Sequence, residues 1–165
     1  MPEVKLSTGI TMHYEEYGHG EPFVLIYGTG GDHSAWLSTP RDLAKEFRVI
    51  VPDNRGTGRT DKPVEQEWTM RTFADDTVAL LETLDIDKAH VGGMSLGSAV
   101  SLEIAINYPQ KVLSASLYNP WAKTDAFLKN LFELGLSLAR SGDSENMGRF
   151  ILWVLFSPHG QENRQ

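Results

Sequence analysis

The chain has 165 residues, 41% of them hydrophobic, no cysteine and a formal net charge of −7. That length and apolar content suffice for one buried core. An acidic surface repels phosphate, which argues against nucleic acid or an anionic membrane as partner and favours a neutral or weakly charged small molecule. Without cysteine, neither a disulfide nor a thiolate metal site can form. Residues 1–5 are too polar to open a signal peptide, and no apolar run reaches bilayer-spanning length, so a cytoplasmic protein is expected.

In chain order, residues 4–7 and 10–17 are rich in β-formers and flank Thr8 and Gly9, which predicts an N-terminal antiparallel hairpin. Residues 23–27 form a continuously apolar run, as expected of a strand buried on both faces, and lead into a glycine-rich loop. Residues 48–52 repeat the strand pattern, and 40–47 between them reads as a short helix with Pro40 in its first turn, completing a βαβ unit. From Thr69 as N-cap, Met70, Phe73, Ala74, Val78, Leu81 and Leu84 recur at helical spacing. A strand over 89–92, a helix over 96–108 and a strand over 112–118 continue the alternation. Such alternation implies an α/β fold with a mostly parallel sheet and right-handed crossovers.

After Asn119 and Pro120 the pattern changes to two amphipathic helices, over 123–140 and 145–156, separated by Ser141, Gly142 and Asp143. Their apolar residues, among them Trp121, Phe127, Phe132, Phe150 and Trp153, need something to cover, as a lid over a pocket would. The expected organisation is therefore a core over residues 1–120 and the start of a helical lid over 121–165.

Gly93, Met94, Ser95, Leu96 and Gly97 form a G-x-S-x-G between a predicted strand and a predicted helix. A serine held in a strained turn needs minimal side chains two residues to either side, and here glycine stands at both places. Ser95 then sits at the carboxyl end of the sheet and at a helix N-terminus, where free N–H groups favour developing negative charge. The plain alternative is a tight strand-to-helix turn that merely needs glycine. Gly28, Thr29, Gly30 and Gly31 follow the central strand and can aim a backbone N–H into the same crevice. The candidate oxyanion donors are the N–H groups of Thr29 and Leu96, with Gly28, Gly30 and Met94 shaping the loops around them. A nucleotide loop is disfavoured, since neither G-x-G-x-x-G spacing into a helix nor a P-loop lysine is present.

The run from Asp53 to Thr60, DNRGTGRT, resembles the D-x-R-G-x-G-x-S segment of α/β-hydrolases. With the elbow and the Gly28 loop in the same order, residues 10–120 resemble the esterase, lactonase and 3-oxoadipate enol-lactone hydrolase branch of that superfamily. The resemblance implies a twisted, mostly parallel α/β-hydrolase sheet lacking its last strands, with the tail from Trp121 as the beginning of the family's cap. It also implies Asp53 to Thr60 as a structural turn, Arg55 holding the loop network near the site, and no metal or organic cofactor. Tyr27 stands where many relatives have histidine, which leaves a backbone donor intact.

The implied reaction is hydrolysis of a small carboxylic ester or lactone through an acyl-enzyme on Ser95. A cofactor-free perhydrolase or C–C bond hydrolase remains open, as does a noncatalytic ligand-binding or signalling module or an inactive fragment. In this family the acid and histidine follow the serine, and they are expected beyond residue 165. His13, His90 and His159 stand elsewhere, His33 fits a loop hydrogen bond, and Asp125 fits a helix N-terminal carboxylate. A sheet short of its last strands would leave apolar surface open, so a complementary C-terminal segment, a second chain or homo-oligomer formation is expected.

Overall fold

The computed structural model describes residues 2–65 and 67–155. Strands β1 (Glu3–Lys5), β2 (Thr11–Tyr17), β3 (Glu21–Ile26), β4 (Phe47–Pro52), β5 (Ala89–Met94) and β6 (Val112–Tyr118) form one sheet in the order β1-β2-β4-β3-β5-β6. The β1–β2 and β2–β4 pairings are antiparallel, and β3–β4, β3–β5 and β5–β6 are parallel. The helices are α1 (Thr39–Leu43), α2 (Met70–Thr83), α3 (Leu96–Asn107), α4 (Ala126–Ser141) and α5 (Ser144–Leu155). The expected hairpin, the alternation and the largely parallel sheet are all present. None of the helices among the described residues is long and apolar enough to cross a membrane.

The continuous apolar run of β3 has the predicted cause. Val24 and Ile26 join Ile50, Val91, Leu80, Val100 and Ile104 in the core on the α2/α3 face. Phe23 and Leu25 instead join Val49 and Val51 on the opposite face, against Trp36, Leu43 and Phe47. Alternate residues of β3 and β4 thus serve two cores, and neither face can be polar. Each such side chain contributes roughly 1.5–3 kcal/mol when fully buried.

Helix α2 starts where the sequence places it. The Thr69 hydroxyl oxygen accepts from the Thr72 N–H, and the Thr69 N–H donates to Thr72 Oγ1, both at 3.2 Å. Thr69→Ala is expected to cost about 0.5–2 kcal/mol, read as a lower urea midpoint with unchanged slope. The helix predicted over 40–47 is shorter than expected. It ends at Leu43, because the Ala44 N–H closes onto Pro40 and Asp42 carbonyls and Phe47 must already be extended to pair with Glu21.

The chain divides into two compact units, Met1–Ala122 and Lys123–Gln165. In the second, Asp125 caps α4 by accepting from the Leu128 N–H at 2.8 Å, which starts the helix later than residue 123. Gly142 closes α4 in a left-handed conformation with φ 71°. Gly135 lets Phe150 of α5 approach α4 closely, since a Cβ there would lie 2.9 Å from the phenyl ring. Phe127 and Trp153 remain largely exposed. Position 156, the predicted end of α5, lies outside the described residues, as does His159.

Candidate active site

The strand order reverses direction at β3: the chain steps from β3 to β4 on one side, then crosses back to place β5 on the other. Loops leaving the carboxyl ends of β3 and β5 therefore diverge around a crevice, the usual ligand position in open α/β sheets. The loop after β3 is Tyr27–Gly31, and the turn after β5 is Ser95.

Ser95 has φ 54° and ψ −120°, a conformation disfavoured for any residue with a Cβ. It is the N-cap of α3, and its own N–H donates to the Tyr118 carbonyl of β6 at 2.9 Å. Its carbonyl accepts from the N–H groups of Ser98 and Ala99 and from Ser98 Oγ. The backbone of the turn is thus held on both sides. Its strain, roughly 1–3 kcal/mol, is offset by those bonds and by α3 packing. Both glycines of the pentapeptide have a steric reason. A Cβ on Gly93 would run into the Gly97 carbonyl, and one on Gly97 would run into the Ile26 carbonyl. Gly97→Ala is expected to destabilise by at least about 3 kcal/mol, because the obstruction is backbone of β3 and cannot rotate away; the check is the midpoint of urea unfolding.

Gly28 lies against the serine: a Cβ there would be 3.1 Å from Ser95 Cβ and 3.7 Å from Oγ. The glycine loop and the Ser95 turn are thus brought together, with the Met94 carbonyl beside them. Gly30 takes φ 76°, and the Gly31 N–H bends back to the Gly28 carbonyl at 3.4 Å. Among the described residues no acceptor engages the N–H of Thr29 or of Leu96, and Leu96 opens α3. Tyr27 has a packing role: its ring meets Trp36 edge-on at 5.1 Å, lies under Gly31, and its carbonyl accepts from Asn54 Nδ2.

Asp53 anchors the loop network. The fully buried Asp53 carboxylate accepts from the His33 N–H and His33 Nδ1 at 2.8 Å, and from the Arg59 N–H at 2.9 Å. Gly58, at φ 48°, has no Cβ because that carboxylate occupies its place. Arg55 reaches α2, donating from Nε and Nη2 to the two carboxylate oxygens of Asp76 at 2.6 and 2.7 Å, with both side chains buried. Nothing local marks Asp76, which reads as a polar interruption of an amphipathic helix.

Among the described residues no histidine is hydrogen-bonded to Ser95 Oγ. His33 is held by Asp53. His90 sits at the start of β5, bonded to Ser114 and Glu21 and packed on Phe23 and Phe47. At about 3.3 Å per residue, the strand separates it from Ser95 by roughly 16 Å. Asp125 is committed to the α4 N-terminus.

A family model described as alpha/beta hydrolase fold matches residues 21–161. A relative from Azorhizobium caulinodans, provisionally named carbamate hydrolase RutD, is 32% identical over 123 residues, 74% of this chain and 46% of the relative. A solved thermophilic esterase from Thermogutta terrifontis superposes with a TM-score of 0.86 at 27% identity, covering 99% of this chain and 62% of that one. The enol-lactonase from Burkholderia xenovorans LB400 gives 0.79 at 25% identity, covering 93% and 58%. The chain spans about half the length of the curated relatives it matches. By the family match over most of its length and by its sheet, the chain belongs to the α/β-hydrolase fold family.

Proposed function

We propose that this chain carries the nucleophile and oxyanion half of a serine hydrolase acting on a small carboxylic ester or lactone. The observation that carries the reading is the strained Ser95 at the N-terminus of α3 with Gly28 packed against its side chain. The names of the esterase and enol-lactonase neighbours favour ester chemistry.

In this mechanism Ser95 Oγ attacks the acyl carbon while a base takes its proton. The carbonyl oxygen becomes an oxyanion, met by the Thr29 and Leu96 N–H groups. Each such donor is worth roughly 3–4 kcal/mol of barrier in acyl transfer. The alcohol leaves with the proton, and water repeats the sequence on the acyl-enzyme. The base and its acid come from residues outside this chain, as the family order of serine, acid and histidine implies. The helices α4 and α5 serve as the start of a substrate-shaping cap, a role consistent with their exposed Phe127 and Trp153.

A fluorophosphonate probe followed by peptide mass spectrometry tests the reading. With the base and acid supplied, the label is expected on the peptide containing Ser95. A protein that binds esters while Ser95 stays unlabelled is a noncatalytic binder, and the acyl-enzyme is then wrong.

A further inference from the structure

His13, on β2, is among the most buried side chains of the chain, and neither of its ring nitrogens has a hydrogen-bond partner among the described residues. A neutral imidazole has one donor and one acceptor nitrogen, and leaving both dry costs roughly 1–3 kcal/mol each. The β-strand period places Glu15 on the same face, with its Oε1 3.2 Å from His13 Nε2 but not aligned as a hydrogen bond. His33, on the loop after β3, brings its ring to 5.0 Å from that of His13, centroid to centroid. One ligand atom from each of His13, Glu15 and His33 lies within 4.8 Å of the others.

We propose that these three residues form a site for a divalent transition-metal ion, zinc in the first instance. Two ligands at about 2.1 Å from a common ion stand roughly 3.0–3.4 Å apart, and the His13–Glu15 separation falls in that range. Two imidazoles with one carboxylate suit zinc, and a set without further carboxylates suits magnesium or calcium poorly. Asp53 supplies the outer support such a histidine ligand ordinarily has. As a carboxylate it only accepts, so the Asp53 contact takes His33 Nδ1 as donor and leaves Nε2 as the nitrogen to face an ion. The neighbouring set Asp32, His33 and Asp53 is less suited, because both carboxylates are already occupied by N–H or O–H donors. The His33 ring is partly exposed on its loop. A metal there would tie the strand β2 to the same loop that bears Gly28 and Thr29, so its role is to fix that loop.

The test is titration of the chelator-treated full chain with Zn²⁺, with Co²⁺ as the spectroscopic substitute and Mg²⁺ as the control. One Co²⁺ per chain with visible d–d absorption is expected, together with a melting temperature raised by Zn²⁺ and not by Mg²⁺. Glu15→Gln and His33→Gln, both at partly exposed positions, are each expected to weaken Zn²⁺ at least about tenfold, with circular dichroism of the metal-free protein unchanged. Absence of stoichiometric binding, or binding undiminished in both variants, overturns the site. If a variant loses its fold, zinc protection of the His33 ring from diethyl pyrocarbonate in the parent chain decides instead: protection upholds the site, and its absence refutes it.

Discussion

With the base and acid supplied, Ser95→Ala is expected to lower turnover of an activated ester such as p-nitrophenyl acetate by a factor on the order of 10⁵–10⁶, with fluorophosphonate labelling lost. Residual rate above water would come from the oxyanion donors, which the substitution leaves in place. The companion Ser95→Gly separates chemistry from strain. Both variants lack the nucleophile, but only glycine takes φ 54° at no steric cost. Ser95→Gly is therefore expected to be equally inactive yet more stable than the parent, by about 1 kcal/mol in urea unfolding. Equal stabilities for the alanine and glycine variants would show that the turn stores no strain.

The second large effect concerns stability. Arg55 and Asp76 face each other with two charge-assisted hydrogen bonds and almost no solvent contact. Removing one partner strands the other charge in a medium that cannot solvate it. Arg55→Ala or Asp76→Ala should each cost about 3–5 kcal/mol. The double replacement Arg55→Met with Asp76→Leu should cost clearly less than the sum, since no lone charge remains. A four-point cycle of urea midpoints measures the coupling. If the single and double variants add without interaction, the pair is not the unit described here.

The contrast between Ser95 and Asp76 explains what the sequence could convey. The elbow is legible because its chemistry and its sterics reside in five consecutive residues, Gly93 to Gly97, whose constraints are mutual. Strands β3 and β4 are legible because burial on two faces leaves a continuous apolar run. Helix α2 is legible because Thr69 caps it and one face is apolar. The Arg55–Asp76 pair is not, since its members lie 21 residues apart and an acidic residue on a helix reads as solvated. The same holds for His13 and His33, which approach only when β2 and the loop after β3 are folded side by side. The loss of the last turn expected after Leu43 is a tertiary effect: helix propensity yields to the β3–β4 register. Residues that combine at one site from distant elements leave no local signature, which is why the partners of Ser95 could be placed only by resemblance.

Strand β6 pairs with β5 alone among the described residues, and its last residue, Tyr118, accepts the N–H of Ser95. The Ser95 amide proton is therefore protected by an edge strand of the described sheet rather than by its centre. In hydrogen exchange, its rate reports the fraying of β6, an edge strand among the described residues, while Val24 and Ile50 report global unfolding. Whatever binds along β6 then slows Ser95 exchange without touching the crevice, linking the geometry of the elbow to the occupancy of an edge.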